Sequence, residues 1–160
     1  MSSANESATA GFLVWRLSMK WRVAVDRAVA PLGLTHAQYS LMGSLYGMAR
    51  SGLEPSQRQL ADHTGLEALY VSKLARALEA AGLVARTRDP DDPRAMRLSL
   101  TEQGRDVTRR AITVVQGLLD QMLEPLGGQH SPRARQFTHE LAALLDAPLD
   151  PRTDNDEEQS

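Results

Sequence analysis

Apolar residues recur at intervals of three and four along much of the chain, which is the spacing of one face of an α-helix. This spacing predicts a first helix over residues 12–32, with an apolar stripe at Val14, Leu17, Trp21, Val25, Ala28 and Leu32. Trp15, Met19 and Val29 widen the stripe beyond what one neighbouring element would cover. The first helix is therefore expected to pack against a second surface, such as another subunit.

Two capping signals predict where the next helices begin. Thr35 is followed three residues later by Gln38, and Ser56 by Gln59. In such a capping box, each pair satisfies free N–H groups of the first helical turn. Glycines at positions 33, 52 and 65 mark the ends of the first three helices. The third helix is therefore short, and a tight turn joins it to the segment that follows.

The segment over residues 67–81 is predicted to be a helix with two different faces. At 100° per residue, Val71, Leu74, Leu78 and Ala81 lie on one side, which is the expected core face. The opposite side is small, basic and able to form hydrogen bonds, and it carries Leu69, Ser72, Lys73, Arg76 and Ala80. Such a helix can dock on a scaffold by one face and leave the other free for a partner.

The rest of the pattern predicts a β-hairpin and two more helices. Residues 83–88 and 96–100 have strand character, and the connector at 89–94 is rich in aspartate and proline. A long helix begins at Thr101, and a last helix begins at Ser131 and Pro132. The predicted fold class is mainly α with a small β-hairpin. Its middle has the order of a winged helix-turn-helix, in which the second helix of the pair enters the DNA major groove.

This arrangement gives expected DNA contacts to two helices. Ser56 and Arg58 stand at the start of a helix with free N–H groups, so we expect them to contact phosphates. Groove contacts are expected from Tyr70, Ser72, Lys73 and Arg76. Arg76 is best placed to bind a guanine through two hydrogen bonds, and Leu69 on the same face is placed to meet a thymine methyl group.

Three stretches of the chain resemble the signature of the MarR family of winged helix-turn-helix transcriptional regulators: residues 78–84 (LEAAGLV), 88–94 (RDPDDPR) and 98–104 (LSLTEQG). Residues 32–35 (LGLT) with Gln38 and Tyr39 are similar to that family's approach to its second helix. The resemblance covers residues 11–147, and the wing is its most specific part. It implies a homodimer with interlocked terminal helices that binds a pseudo-palindromic operator in double-stranded DNA. It also implies a regulator that is more often a repressor and is usually released by a small effector.

Individual residues match the family pattern with some departures. Ser72 and Lys73 match a Ser-Arg pair, so Lys73 would be a weaker, single-point version of that basic contact. Arg94 matches the wing-tip arginine expected to enter the minor groove, and Asp92 matches the acid that orients it. Pro93 replaces a frequent arginine. Glu67 stands where a serine or threonine cap is usual in the family. Arg88 is a further expected DNA contact.

The chain is thus expected to divide into five segments. Residues 1–10 form a flexible N-terminus, residues 11–34 a dimerisation helix, and residues 35–100 the winged helix-turn-helix core. Residues 101–147 form C-terminal dimerisation helices, and residues 148–160 an acidic disordered tail. Residues 150–160 hold five acids and one arginine, so they contribute −4 to a net charge of −2 and leave +2 for the rest. DNA binding is therefore expected to depend on a few well-placed arginines rather than on bulk charge.

Composition narrows the class of protein further. The 160 residues, 42% of them apolar, can bury one core, and there is no cysteine for a disulfide or a thiol switch. The opening residues lack the regions of a signal peptide, and no run of about 18 apolar residues predicts a membrane span. We therefore expect a cytoplasmic protein with no membrane partner and no cofactor.

The alternatives to a DNA-binding regulator of the expected kind are an enzyme, a metal-responsive regulator and a protein-binding module. An enzyme is disfavoured, because the four histidines are scattered and neither a glycine-rich phosphate loop nor a nucleophile elbow occurs. A metal-responsive regulator could use His36, His63 and the acids of the wing if the fold brings them together. A winged-helix module that binds protein instead of DNA would have a neutral recognition face. The cations argue against that module: Lys73, Arg76, Arg88, Arg94 and Arg97.

An effector pocket is expected where the first, second and fifth helices meet. Its walls would be Trp15, Met19, Met42 and Tyr46. The alternative is that these side chains belong to the ordinary core, which is the more common place for methionine and aromatic residues at helical spacing. A small aromatic or lipophilic effector would fit such walls, and the lack of cysteine excludes thiol oxidation as the signal.

Overall fold

The computed structural model describes residues 8–149 and confirms the predicted fold class, since six helices and one antiparallel hairpin follow one another in the predicted order. Their bounds are α1 (Ala10–Val29), α2 (His36–Arg50), α3 (Gln57–Thr64), α4 (Ala68–Ala80), β1 (Val84–Arg88), β2 (Met96–Leu100), α5 (Glu102–Leu123) and α6 (Pro132–Asp146). Short 3-10 turns, Ala30–Leu32 and Glu124–Leu126, follow α1 and α5. Most of the predicted flexible N-terminus and acidic tail, at residues 1–7 and 150–160, lies outside the described residues.

The predicted helix caps form as expected. The Thr35 hydroxyl accepts the Gln38 N–H at 3.2 Å while the Gln38 side chain accepts the Thr35 N–H at 3.0 Å. Ser56 and Gln59 make the same reciprocal pair at the start of α3, at 3.1 and 2.8 Å. Gly65, with φ of 72°, ends α3 in the left-handed conformation that glycine adopts without strain. These caps fix the lengths of α2 and α3.

The first of two compact units ends at Leu118 and contains the main core. The second half of α1 contributes Val25 and Val29, both fully buried, whereas the first half of α1 is exposed. Helices α2 to α5 and the hairpin add the rest of this core, which includes Leu41, Leu45, Leu60, Val71, Leu78, Val84, Leu98 and Ala111. Full burial of each such side chain stabilises the fold by about 1.5–3 kcal/mol.

The hairpin is joined to the helix-turn-helix through the backbone. Its two strands pair in antiparallel register from Val84 opposite Leu100 to Arg88 opposite Met96. The Leu98 N–H donates to the carbonyl of Pro55 at 3.0 Å, directly before α3. The wing and the first turn of α3 therefore form one connected surface.

The start of α5 lies very close to the turn that follows α4. The Thr101 hydroxyl donates to the carbonyl of Gly82 at 2.7 Å. A Cβ atom at Gly104 would lie 1.9 Å from the carbonyl oxygen of Leu83, which is far inside van der Waals contact. Position 104 therefore requires glycine.

The second compact unit begins at Leu119 and includes α6. The Ser131 hydroxyl accepts the Ala134 N–H at 3.0 Å and donates to the Leu126 carbonyl at 2.7 Å, which caps α6 as predicted. Leu123 and Ala134 are buried, while Leu144 and Leu145 are exposed. Among residues 8–149, no helix combines the length and the apolar character needed to cross a membrane.

Candidate nucleic-acid interface

Helix α4 has the two faces that its periodicity predicts. Val71, Leu74 and Leu78 are buried, and Ala75 joins them. Leu69 is 85% exposed, which is unusual for a leucine, and its exposed neighbours on the outer face include Tyr70, Lys73 and Arg76. Ser72 is half-buried at the edge of this face. One expectation is wrong, because Ala81 caps the end of α4 and is exposed instead of joining the core.

The start of α3 supplies the second group of predicted contacts. Arg58 is exposed in the first turn, where it can reach a phosphate. Ser56 is half-buried, and its oxygen is occupied as the cap of α3. The Ser56 hydroxyl hydrogen remains available to an outside acceptor, because a hydroxyl can donate one bond while it accepts others. Both residues are compatible with phosphate contact.

The wing tip places Arg94 in solvent, and Asp92 contacts its backbone. The Asp92 carboxylate accepts the backbone N–H of Arg94 at 3.0 Å. The ion pairs found among residues 8–149 do not join the two side chains. Asp92 therefore orients the backbone of Arg94 and leaves the guanidinium group free, while Arg88 is exposed at the end of β1.

An ion pair at the tip end of the wing was not predicted. The Arg97 Nε–H donates to Asp89 Oδ2 at 2.9 Å, and Asp89 Oδ1 accepts the Asp91 N–H at 2.9 Å. The Asp91 N–H and the Arg97 guanidinium hold the pKa of Asp89 below its usual value, and Asp89 raises the pKa of Arg97. The sequence feature that could have indicated this ion pair is the presence of opposite charges, Asp89 and Arg97, at the two ends of the turn-rich connector. Arg97 therefore supports the wing and has its charge partly neutralised.

The other cations of this surface keep their charge available. Within residues 8–149, no ion pair involves the exposed cations Arg58, Lys73, Arg76, Arg88 and Arg94. Arg86, by contrast, is mostly buried and lies 3.8 Å from Glu79 of α4. Glu67 precedes α4 without capping it through its side chain. The surface of α3, α4 and the wing can therefore bind a polyanion through several separate cations.

The predicted effector residues do not gather around one cavity. Met42 is fully buried in the core and presents no surface to a ligand. Tyr46 is partly buried against the same core, while Trp15 and Met19 are exposed on α1. A cavity of about 610 Å³ lies instead between α2 and α5, where Tyr39, Gly43, His63 and Ile112 are among the lining residues. Burial raises the pKa of Tyr39, so its phenol group remains a hydrogen-bond donor over the neutral range.

The two histidines considered for a metal site, His36 and His63, lie in different surroundings. Within residues 8–149, no group of three or more His, Asp or Glu side chains is arranged to hold a metal ion. The backbone N–H of His36 donates to Asp26 at 2.6 Å, and burial, the largest cause, lowers the pKa of the His36 imidazole. His63 is exposed beside the α2–α5 cavity.

The first half of α1 presents a continuous apolar surface. Trp15 is 58% exposed and its ring centroid lies 6.2 Å from that of Phe12. The exposed apolar side chains of this stretch are Phe12, Leu13, Val14, Trp15, Leu17 and Met19, and Val23 follows them in the second half of the helix. In a protein free in water, a patch of this extent marks an interaction surface.

An exposed cationic helix face beside a two-stranded wing defines a DNA-binding protein of the winged helix-turn-helix class. The MarR family profile matches residues 32–95. The chain is 31% identical to the transcriptional repressor Rv2887 of Mycobacterium tuberculosis over 87% of its own length and 95% of that protein. The chain belongs to the MarR family of transcriptional regulators.

Solved structures of the family have the same fold. CouR from Rhodococcus jostii, bound to p-coumaroyl-CoA, is 25% identical with a TM-score of 0.75, and the match covers 91% of this chain and 97% of CouR. MepR of S. aureus, in complex with DNA, is 26% identical with a TM-score of 0.70 over 87% of this chain and 98% of MepR. The chain is accordingly a transcriptional regulator and not an enzyme.

Proposed function

We propose that this protein is a cytoplasmic homodimeric repressor that binds a pseudo-palindromic operator and is released by a small effector. Residues 35–100 form the DNA-binding domain, and residues 11–34 and 101–147 form the dimerisation helices. The observation that carries the proposal is the outer face of α4, where Leu69, Lys73 and Arg76 are exposed together above a fully packed inner face. The MepR–DNA complex supports it by the similarity of the fold.

Each group of the interface has a distinct task in the operator. Arg76 and Lys73 read guanine edges in the major groove, with Tyr70 and Ser72 beside them. Leu69 contacts a thymine methyl group. Arg94 enters the minor groove, where Asp92 holds its backbone in place. Contacts to phosphates fix the register without reading sequence, and they come from Ser56, Arg58 and Arg88.

The proposed dimer is inferred from the exposed apolar surface of α1. The apolar side chains of its first half are numerous and contiguous, and burial against a second copy would remove them from water. Two-fold symmetry then places two α4 helices in successive major grooves, so the operator is an inverted repeat with half-sites about 10 bp apart.

The effector binds in the α2–α5 cavity. Its volume of about 610 Å³ lies within the range of about 300–1,000 Å³ that is typical of sites for small molecules. CouR, a similar protein, is described as bound to p-coumaroyl-CoA, which supports a ligand-responsive function. Trp15 and Met19, which were expected from the sequence to be walls of the effector pocket, are exposed on α1 and do not line this cavity.

The test is to select bound fragments from the genomic DNA of the source organism and to measure affinity for the selected sequence by fluorescence anisotropy. We expect the affinity to fall steeply with salt, because phosphate contacts release counterions. Arg94→Ala should weaken binding, whereas Arg110→Ala on the exposed side of α5 is the matched control and should not. Failure to select any sequence, or a salt-independent interaction, would contradict the proposal.

A further inference from the structure

The first turn of α4 is exposed on all sides within the described chain. Glu67, Ala68, Leu69 and Tyr70 are exposed one after another, and Val71 is the first buried residue of α4. Because a helix completes one turn in about 3.6 residues, four consecutive exposed residues leave no side of this turn covered by the core. The turn can therefore enter a groove ahead of the rest of the helix.

The backbone of this turn is held in place although its side chains are exposed. Leu66, directly before it, packs against the core, and its N–H donates to Thr64 Oγ1 at 3.4 Å. At the other end, the N–H of the fully buried Val71 donates to the Glu67 carbonyl at 2.9 Å. Glu67 thus lies between two anchored residues, and its side chain begins at a defined point of the surface.

The Glu67 carboxylate makes none of the contacts that commonly hold an acid at the start of a helix. It takes no part in the ion pairs found among residues 8–149, and it does not cap α4. In each of the other five helices, a serine or threonine hydroxyl accepts an N–H of the first turn: Thr9, Thr35, Ser56, Thr101 and Ser131. The carboxylate of Glu67 is therefore available to a partner of the α4 surface.

A carboxylate in the major groove accepts hydrogen bonds but donates none. Cytosine presents its N4 amino group there, which is a donor. Guanine presents two acceptors, thymine presents one, and adenine places its N7 acceptor beside its N6 donor. Each of these three bases would hold an acceptor against the carboxylate. Cytosine is therefore the base that matches Glu67.

The same negative charge is unfavourable on most other DNA. Phosphates repel it, and a carboxylate that leaves water without gaining a donor loses its hydration. Lys73 and Arg76, exposed on the outer face, attract the phosphates of every sequence. Glu67 offsets this attraction unless a cytosine amino group compensates it, and such a penalty against wrong sequences raises specificity. Arg76 lies nine residues further on, about 13 Å at 1.5 Å per residue, so it reads a different base pair.

We propose that Glu67 is a specificity-determining residue of the DNA interface. Its carboxylate accepts a hydrogen bond from the N4 amino group of a cytosine in each half-site and disfavours DNA that offers no such donor. The cations of the interface supply attraction, and Glu67 supplies discrimination. The inference rests on the proposed function and adds to it a residue that lowers the affinity for most DNA.

The first experiment compares base preferences, using all single-base variants of the selected operator. We expect a cytosine preference at one position of each half-site, and Glu67→Ala should reduce it by about fivefold or more. Glu67→Gln should move the preference at that position towards adenine, because an amide can bond to adenine N6 and N7 together. Neither variant removes a cap bond from α4. Identical preferences in the wild type and Glu67→Ala would overturn the proposal.

The second experiment measures affinity for a duplex of scrambled sequence by fluorescence anisotropy at fixed salt. Both Glu67 variants should bind this duplex about threefold or more tightly than the wild type, because a repulsive charge is removed. Glu102→Gln is the matched control and should change nothing, since Glu102 is exposed in the first turn of α5, outside the proposed DNA contacts. No gain in the Glu67 variants, or an equal gain in the control, would overturn the discriminating role of the charge.

The third experiment tests the contact itself by removing one functional group from the DNA. Pyrimidin-2-one is cytosine without its 4-amino group. Its substitution for the preferred cytosine should weaken wild-type binding by about fivefold or more and Glu67→Ala binding much less, so that the two changes are not additive. Additive losses would overturn the contact.

The outcomes separate this inference from the proposed function. A wild type that selects an operator without any cytosine preference would overturn the inference alone. A wild type that binds no DNA would contradict the proposed function and, with it, the role of Glu67.

Discussion

Helix α4 and the first half of α1 both expose large apolar side chains, but the surroundings of these side chains differ. On α4, Leu69 is exposed beside Lys73 and Arg76, while the inner face of the helix is fully packed. On α1, Val14 and Trp15 belong to a continuous apolar surface in which six exposed side chains lie within the first half of the helix. An exposed leucine beside a tyrosine and two cations suits a nucleic acid, whereas a contiguous apolar surface suits another protein chain.

The two regions also differ in what supports them within the chain. The surface of α3, α4 and the wing is built on a core whose helices are capped and whose strands are paired within the chain. The first half of α1 has no such packing in the single chain. The DNA-binding surface should therefore tolerate changes on α1, and dimerisation should tolerate changes on α4. The following predictions test this independence, beginning with the largest effect.

Gly104→Ala should damage the core beneath the DNA-binding surface. The added Cβ would lie 1.9 Å from the Leu83 carbonyl oxygen, so backbone must move, and the free energy of unfolding should fall by about 3 kcal/mol. Gly117→Ala is the matched control on the same helix, because its Cβ would meet no atom within 4 Å. The control should be stabilised by up to about 1 kcal/mol through helix propensity. Chemical denaturation measures both changes, and equal stability of the two variants would contradict the close contact at Leu83.

Trp15→Ala should break the apolar surface of α1 without unfolding the chain. We expect the dimer to lose about 2 kcal/mol of association free energy, since large aromatic residues dominate protein interfaces. Leu53→Ala is the control, because Leu53 is also 58% exposed but lies in the loop between α2 and α3. Sedimentation velocity measures the association. A wild-type chain that is monomeric at micromolar concentration would refute the assignment of this surface.

Arg76→Ala should affect sequence reading on α4 while leaving dimerisation unchanged. The expected cost is about 1–3 kcal/mol of operator affinity, with relaxed preference at one base pair. Arg94→Ala should differ, because a minor-groove contact at the wing tip affects other positions of the operator. Binding to a set of single-base operator variants distinguishes the two. Unchanged preference at every position in Arg76→Ala would remove its role as a reader of sequence.

The smallest expected effect concerns Asp89 and pH. Because the pKa of Asp89 is lowered in the folded chain, its contribution is present above the usual Asp value of 3.8 and is lost only as pH falls through the lower folded value. The wing should therefore be unchanged between pH 7 and pH 5, two values chosen above that range. Asp89→Asn should loosen the wing at both pH values, seen as faster hydrogen exchange of the Asp91 amide. Equal exchange rates in the variant and the wild type would show that the ion pair with Arg97 does not support the wing.

The sequence was most informative where structure depends on neighbours along the chain. The capping boxes at Thr35 and Ser56 and the glycine end at Gly65 are local features, and all three form as predicted. The two faces of α4 follow from helical periodicity alone. The predicted place of Ala81 on the core face was wrong, because α4 ends at Ala80 and Ala81 is its exposed cap.

The features that were not predicted depend on contacts between distant elements. Periodicity did not reveal the hydrogen bond from His36 to Asp26, because it joins α1 to α2. Periodicity also left open whether Met42 lines a pocket or belongs to the core, because both show the same spacing of apolar residues. Met42 is in the core. The need for glycine at position 104 and the ion pair of Asp89 with Arg97 appear only when the turn after α4 and the wing are folded.

Native mass spectrometry with the selected operator measures the stoichiometry of the protein on DNA. A symmetric dimer gives two chains on an intact inverted repeat. We also expect much weaker binding when one half-site is scrambled, because both α4 helices must reach their grooves together. A single chain bound to the duplex, or equal affinity for the intact and the half-scrambled operator, would contradict the central claim of a symmetric DNA-binding dimer.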